Sequence, residues 1–284
     1  MKYNFKMKNK DNVLTLCEKA GVPFLQFNAL NECGIVTHGF STRMGGVSEG
    51  IYASMNLSYT RGDKEEAVTE NFVRFARALE VCPEDYVFSD QTHTTNIRVV
   101  TEADRGKGFV RARDYQDIDG LVTNVKGLVL STFYADCVPL YFVDLKQKAI
   151  GLSHSGWKGT VGKIGRKTVE TMEREYGSKP EDILVAIAPS ICRECYEVSE
   201  DVAVEFKKIF PKEKHGKIMD DKGNGKYQLD LWECNKRILL DAGIRKENLS
   251  VTNICTCCNS DLLFSHRASQ GKRGNLGAFL MLKQ

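Results

Sequence analysis

The chain has 284 residues, 42% of them hydrophobic and 27% charged, with a formal net charge of +3. That balance belongs to a globular protein able to bury a sizeable core, and so small a charge argues against nucleic acid or a membrane surface as partner. No apolar run reaches the length of a transmembrane helix. The lysine-rich residues 1–11 lack the apolar core of a signal peptide, so a cytoplasmic protein is expected.

Residues 1–33 read as a lead-in segment. Residues 34–42 alternate and predict a strand, followed by the glycine loop Arg43-Met44-Gly45-Gly46. Apolar residues at 68, 72, 75, 76 and 79 predict a helix over Lys64 to Leu79. Tyr86 to Ser89 and Asn96 to Val100 read as short strands around Asp90-Gln91-Thr92-His93, which puts His93 at a strand end or in a turn. Asp119 to Thr123 opens the next sheet region, and Leu128 to Tyr134 reads as a buried strand. Two apolar stretches around Asp144-Leu145-Lys146-Gln147 predict a β-hairpin. Helices are expected over Val161 to Tyr176, Asp201 to Phe210 and Asp230 to Ala242. Strands are expected over Glu181 to Ala188, Leu249 to Ile254 and Ala278 to Leu282, and the polar stretch 211–227 reads as a surface loop. Strands both in hairpins and between helices favour α+β with a mixed sheet. No composition break divides the chain, so one domain over residues 1–284 is expected.

The hairpin carries the sharpest chemical signal. Cys137 and His154 lie symmetrically about its turn, so a regular ladder sets them opposite each other. Cys and His are common zinc ligands, and three protein ligands with an open position are the catalytic arrangement. The bland alternative is a buried cysteine facing a core histidine. Pro139 cannot donate to a ladder, which puts a bulge or an edge near Cys137. Asp136 is a charge beside an apolar strand and needs a partner, such as a second shell to a metal. His93 has polar neighbours in Gln91 and Thr92 but no spacing that ties it to the pair. Only five histidines occur in the chain, which limits the number of metal sites.

Two anion sites are candidates. Gly156, Lys158 and Gly159 lie at a predicted helix start, where free N–H groups face outward; the alternative is a tight turn. Arg43 can clasp a phosphate or carboxylate through paired bonds, or lie solvated in its loop. The ten cysteines are not a small-protein disulfide framework, and most read as small buried apolar residues. Cys192-x-x-Cys195 with Cys255-x-Cys257-Cys258 invites a four-cysteine zinc reading, against which stand irregular spacing in the second group and a long intervening loop.

With these residues assembled, the chain resembles the YfiH family, also called the laccase-domain or multicopper polyphenol oxidase family. The resemblance runs from about residue 34 to the end. It rests on His38-Gly39-Phe40-Ser41-Thr42-Arg43-x-Gly45-Gly46-Val47-Ser48, Asn56-Leu57 with Gly62-Asp63, Gln91-x-His93 and Asp119-Gly120-Leu121-Val122-Thr123. It continues through Ala135-Asp136-Cys137-x-Pro139 and His154-x-Gly156-Trp157-Lys158-Gly159. The resemblance implies a four-layer α/β/β/α sandwich and a zinc site on His93, Cys137 and His154, with copper as the alternative metal. It also implies phosphorolysis of adenosine, inosine and methylthioadenosine, and deamination of adenosine. Purine nucleosides and phosphate are then the partners, and the protein a monomer or homodimer. Where members often end in Tyr-Arg-Arg and then Thr-Gly-Arg, this chain has Ser265-His266-Arg267-Ala268-Ser269 and Arg273-Gly274-Asn275. That departure bears on substrate preference.

On this reading Asp136 relays a proton, Arg43, Lys158, Gly156 and Gly159 hold phosphate, Gln91 lies beside the substrate, and Phe40, Tyr134 or Trp157 stacks the base. A true laccase is a less credible reading, because five histidines cannot furnish a blue-copper site and a histidine-rich cluster together. The alternatives are a metal-free hydrolase with Cys137 as nucleophile and His154 as base, and a zinc-binding module without catalysis.

Overall fold

The structure is a computed structural model and describes residues 3–284. Among these, strands follow in chain order as β1 (Leu14–Lys19), β2 (Val22–Phe27), β3 (Val36–Ser41), β4 (Tyr86–Phe88), β5 (Ile97–Val99), β6 (Gly120–Thr123), β7 (Val129–Tyr134), β8 (Val138–Asp144), β9 (Ala149–Ser155), β10 (Ile183–Ile187), β11 (Glu197–Ser199), β12 (Met219–Gly223), β13 (Lys226–Leu229), β14 (Leu249–Val251) and β15 (Leu276–Leu282). The α-helices are α1 (Asn28–Glu32), α2 (Glu65–Leu79), α3 (Trp157–Val161), α4 (Ile164–Tyr176), α5 (Glu200–Ile209), α6 (His215–Ile218) and α7 (Leu231–Asp241).

Two six-stranded mixed sheets form the centre, in the orders β1-β2-β3-β15-β7-β4 and β14-β10-β8-β9-β6-β5. Their inner faces bury one core, including Phe27, Phe40, Tyr134, Tyr141, Leu152 and Leu280. The outer face of the first sheet is covered by α2. Its Val68, Phe72, Phe75, Ala76 and Leu79 are all buried at helical spacing, and each large side chain contributes about 1.5–3 kcal/mol on burial. The outer face of the second sheet packs against α4, α5 and α7 through Ile164, Met172, Phe206 and Leu239. The layers are therefore the α/β/β/α sandwich with mixed sheets that the resemblance implies.

Several local readings change. Residues 1–33 contribute more than a lead-in: β1 and β2 pair in register from Leu14↔Phe27 to Lys19↔Val22 and extend the first sheet. Their turn is Ala20-Gly21, both at positive φ, a geometry that the sequence advertises weakly because alanine rarely adopts it. The stretch 211–227 is not a loop but holds α6, β12 and the first half of β13, with Ile218, Met219 and Tyr227 buried. Asn224-Gly225, both at positive φ, is the hairpin signal that marks it. The helix expected over Val161 to Tyr176 is divided, because Lys163 sits in the left-handed region and separates α3 from α4.

The hairpin β8–β9 is present with a register two residues from the symmetric one. Pro139, not Cys137, stands opposite His154, and Asp144 pairs with Ala149. The cause is at the turn, where Asp144 Oδ1 accepts from Lys146 N and Gln147 N at 2.8 and 3.0 Å and fixes Leu145–Lys148 as the loop. A two-residue shift keeps every side chain on its face, so Cys137 still reaches His154, diagonally. Pro139 is tolerated near the strand start, its carbonyl accepting from Ala188 N at 2.9 Å.

Candidate metal centre and cleft

Cys137 and His93 both lie on segments that cross from the first sheet to the second. One crossing joins β7 to β8 through Asp136 and Cys137, and the other joins β4 to β5 through His93. Asp136 and His93 each take positive φ, 83° and 67°, turns that non-glycine residues adopt rarely. His154 stands near the end of β9, and Asp119 immediately precedes β6, whose Gly120 pairs with Ser153. The four residues therefore meet where the two crossings reach the end of the second sheet.

The ligand atoms of His93, Cys137 and His154 lie within 4.8 Å of one another, and Cys137 Sγ is 3.9 Å from His93 Nε2. His154 gives Nδ1 to Asp119 Oδ1 at 2.8 Å, which leaves Nε2 for the trio. Burial would raise the Cys137 thiol, but His154 and then His93 overcome it and bring it down to about 6. Burial would lower His154, but the Cys137 thiolate and Asp119 raise it to about 9. Two imidazoles and one thiolate suit a borderline-soft cation such as zinc or copper. A Cβ placed on Gly156 would come within 3.0 Å of His93 Cδ2 and 3.1 Å of Cys137 Sγ, so only glycine lets the backbone pass beneath the trio. The residues fit a metal ion.

Asp119 is the residue that sequence reasoning missed. Fully buried, it also accepts from His93 N at 3.2 Å, Thr92 N at 3.2 Å, Thr94 N at 2.7 Å and Thr94 Oγ1 at 2.9 Å. It thus holds one ligand by its ring and another by its backbone. The signal in the sequence is an acid leading a buried strand, in Asp119-Gly120-Leu121-Val122-Thr123. Asp136 occupies a different post. Its Oδ1 accepts from Thr256 Oγ1 at 2.6 Å and its Oδ2 from Arg267 N at 2.7 Å, so its carboxylate anchors two loops and the relay role loses its support.

The anion residues move as well. Arg43 spends its guanidinium on Ala53 O and Ser260 O, at 2.8 and 2.9 Å, and lies over the Phe264 ring. That makes it a loop clamp, not a phosphate clasp. Lys158 is exposed beside Trp157 on a small cavity of about 250 Å³, and α3 is only five residues long, too short to gather a useful dipole. A Cβ added at Gly159 would come within 3.2 Å of His154 O, so this glycine serves a close backbone approach. Gln91 ties Phe133 with both ends, Nε2 to the carbonyl at 2.7 Å and Oε1 from the amide at 2.6 Å. Phe40 and Tyr134 are core residues.

A cleft of about 1480 Å³ opens onto the trio and includes Arg61, Gln91, Phe133, Arg273 and Asn275. Arg273 is 8% exposed, with Nε unpartnered among the described residues. Burial and then the charge of Arg61 bring it down to about 10. His266 Nδ1 lies 3.5 Å from its guanidinium. Arg61, Arg111, Arg113 and Arg273 line the cleft against Glu65, Asp90 and Asp114, and Asp90 is ion-paired with Arg113 and Asp114 with Lys107, so the wall is receptive to an anion.

The family model described as multi-copper polyphenol oxidoreductase laccase matches residues 37–283. The chain belongs to this family. Among laccase-domain relatives, it is 38% identical to a protein named purine nucleoside phosphorylase YlmD from Bacillus subtilis, over 88% of this chain and 89% of the relative. It is 33% identical to one named adenosine deaminase RL5 from an unknown prokaryotic organism, over 80% and 87%. The crystal structure of a hypothetical protein YfiH from Bacillus licheniformis superposes with a TM-score of 0.88 at 36% identity, covering 94% of this chain and 99% of that one. No helix among the described residues is long and apolar enough to cross a membrane.

Proposed function

We propose that this laccase-domain protein is a metal-dependent purine nucleoside enzyme. It cleaves adenosine, inosine and methylthioadenosine with phosphate and deaminates adenosine. The observation that carries the reading is the His93–Cys137–His154 trio, braced by Asp119 and open to a cleft walled by Arg273. The names of the relatives supply the substrate class. Zinc is the metal the donor set favours, and when bound it supplies a Lewis acid and a water with a pKa near ~7.

The chain's own groups do the rest. Asp119 accepts the Nδ1 proton of His154 and so keeps Nε2 free as a ligand. Gly156 clears the space beneath the three side chains. Arg273 and Arg61 bind phosphate and aim an oxygen at ribose C1′, which takes the bond as the base departs with the electron pair of the C1′–N bond. Phe133, half-buried in the cleft, offers a face for the base.

A second reading has its own observation. Cys137, His154 and Asp119 line up as a low-pKa thiol, a base and an acid that orients the base, the pattern of a metal-free cysteine hydrolase. One experiment tests both: a nucleoside panel with and without phosphate on protein of known zinc content. Phosphate-dependent release of hypoxanthine from inosine, lost on chelation and restored by zinc, supports the proposal. Activity that survives chelation and is abolished by alkylation supports the hydrolase. No turnover of any purine nucleoside at saturating phosphate, with zinc in place, overturns the proposal.

A further inference from the structure

Four cysteines outside the cleft converge on a point. Strands β10 and β14 run parallel in register, Ile187 beside Val251, so the loops that follow them leave the same end of the second sheet. Each loop carries a Cys-x-x-Cys pair, Cys192 with Cys195 and Cys255 with Cys258, and Ser190 bridges to Cys255. The extra Cys257 hides this regular spacing. The four Sγ atoms lie within 4.8 Å of one another. Cys195 and Cys258 are 3.5 Å apart, and Cys192 and Cys258 4.0 Å. Sulfurs tetrahedrally disposed about zinc at ~2.3 Å lie about 3.8 Å apart, so the spacing is that of a ligand cage.

The surroundings match a thiolate centre. Cys255 Sγ accepts from Cys192 N at 3.2 Å and Cys258 N at 3.4 Å, bonds that spread a thiolate's charge. Lys8, ion-paired with Glu194 at 3.0 Å, stands close enough to feel Cys192 and Cys258. Cys192 and Cys255 are buried and the other two half-buried, which keeps the cage from open solvent. All four positions come from protein, the closed arrangement of a structural site.

We propose that Cys192, Cys195, Cys255 and Cys258 hold a structural zinc ion, distinct from the cleft centre. Binding releases the four thiol protons to solvent and involves no change of oxidation state. The ion staples two loops that carry the mount of Cys137, since Ile191 N donates to Asp136 O at 3.0 Å and Thr256 Oγ1 to the Asp136 carboxylate at 2.6 Å.

The test is metal content and spectroscopy on the reduced, full-length chain. The His93→Ala/His154→Ala variant should retain one zinc per chain, and after exchange with Co²⁺ should show the intense sulfur-to-cobalt charge-transfer bands of four thiolates. Added to that variant, Cys255→Ser/Cys258→Ser should remove this ion and these bands, and Cys257→Ser should leave both. If the first variant, folded by circular dichroism, binds neither zinc nor cobalt, the proposal is overturned. It is likewise overturned if the ion survives Cys255→Ser/Cys258→Ser. Should that combined variant fail to fold, the cobalt spectrum of the first still decides, with four-thiolate bands for the cage and weak or absent bands against it.

Discussion

Replacing Asp119 by asparagine isolates the brace from the ligands. The carboxylate divides five donors between two oxygens: Oδ1 takes His154 Nδ1 and His93 N, and Oδ2 takes Thr92 N, Thr94 N and Thr94 Oγ1. Asparagine has one acceptor oxygen. If it faces the threonines, the amide NH₂ meets His154 Nδ1, which must then accept, and the ring proton moves to Nε2, where it blocks the ligand lone pair. If the oxygen faces His154, the NH₂ confronts three donors. Partners of this kind typically hold 10- to 100-fold in metal affinity or activity, or about 1.4–2.7 kcal/mol at 1.36 kcal/mol per decade. Zinc affinity measured by competition with a chromophoric chelator should fall by about that factor, and kcat/KM should fall with it while circular dichroism is unchanged. Wild-type zinc affinity in folded Asp119→Asn would refute the tautomer argument.

Arg273→Ala should raise the phosphate KM by about 10- to 100-fold, since a hydrogen bond to a charged partner contributes about 1.5–3 kcal/mol; initial-rate kinetics at varied phosphate check it. Arg43→Ala should leave that KM unchanged and lower unfolding free energy by about 1–3 kcal/mol, because it strands Ala53 O and Ser260 O; denaturant titration reads the loss. Gly156→Ala should lower zinc occupancy without backbone strain, its φ of −70° being ordinary, because the added carbon meets Cys137 Sγ at 3.1 Å; metal analysis decides. His38 has its Nε2 accepting from Phe27 N at 2.8 Å, and burial, then Lys283, lowers its pKa from 6.5 to about 3. The unfolded chain therefore takes up a proton at His38 first, so this contribution to stability is full above pH ~6.5 and drains as pH falls toward ~3. By pH 5 the wild type should have lost about 2 kcal/mol from this residue, and His38→Gln should not; urea midpoints at pH 7.5 and 5 measure it.

Much of this architecture is written in local patterns. The spacing of Val68, Phe72, Phe75, Ala76 and Leu79 shows α2 directly, and all five are buried. The β8–β9 hairpin is equally plain, but its register depends on how Asp144 closes the turn, which symmetry of the flanking residues does not reveal. Ala20-Gly21 conceals a hairpin because the conformation is carried by a residue that rarely takes it. In the site, His154 and Cys137 follow from one hairpin, whereas His93 came through family resemblance. Asp119 reaches His154 across 35 positions, and only the folded sheet makes that contact. Arg43 and Arg273 look alike as loop arginines. Their roles differ because Arg43 is tied to Ala53 O and Ser260 O away from the cleft, whereas Arg273, bonded only to its neighbours Gly274 and Asn275 and near His266, lines the cleft with its Nε unpartnered.

The two sheet-to-sheet crossings have a consequence for what sets activity. Since His93 and Cys137 sit on separate crossings, the centre exists only while the sheets are docked. Tyr134 Oη donates to Ser153 O at 3.1 Å and Tyr141 Oη to Gly39 O at 3.0 Å, so two tyrosines rivet one sheet to the other. Tyr134 also packs on the His154 ring, 5.3 Å between centroids, whereas Tyr141 lies away from the cleft, so a substitution at Tyr141 acts on the metal centre through the docking of the sheets alone. It would spread the centre's ligands by fractions of an ångström while global unfolding remains remote, because local opening draws on less free energy than complete unfolding.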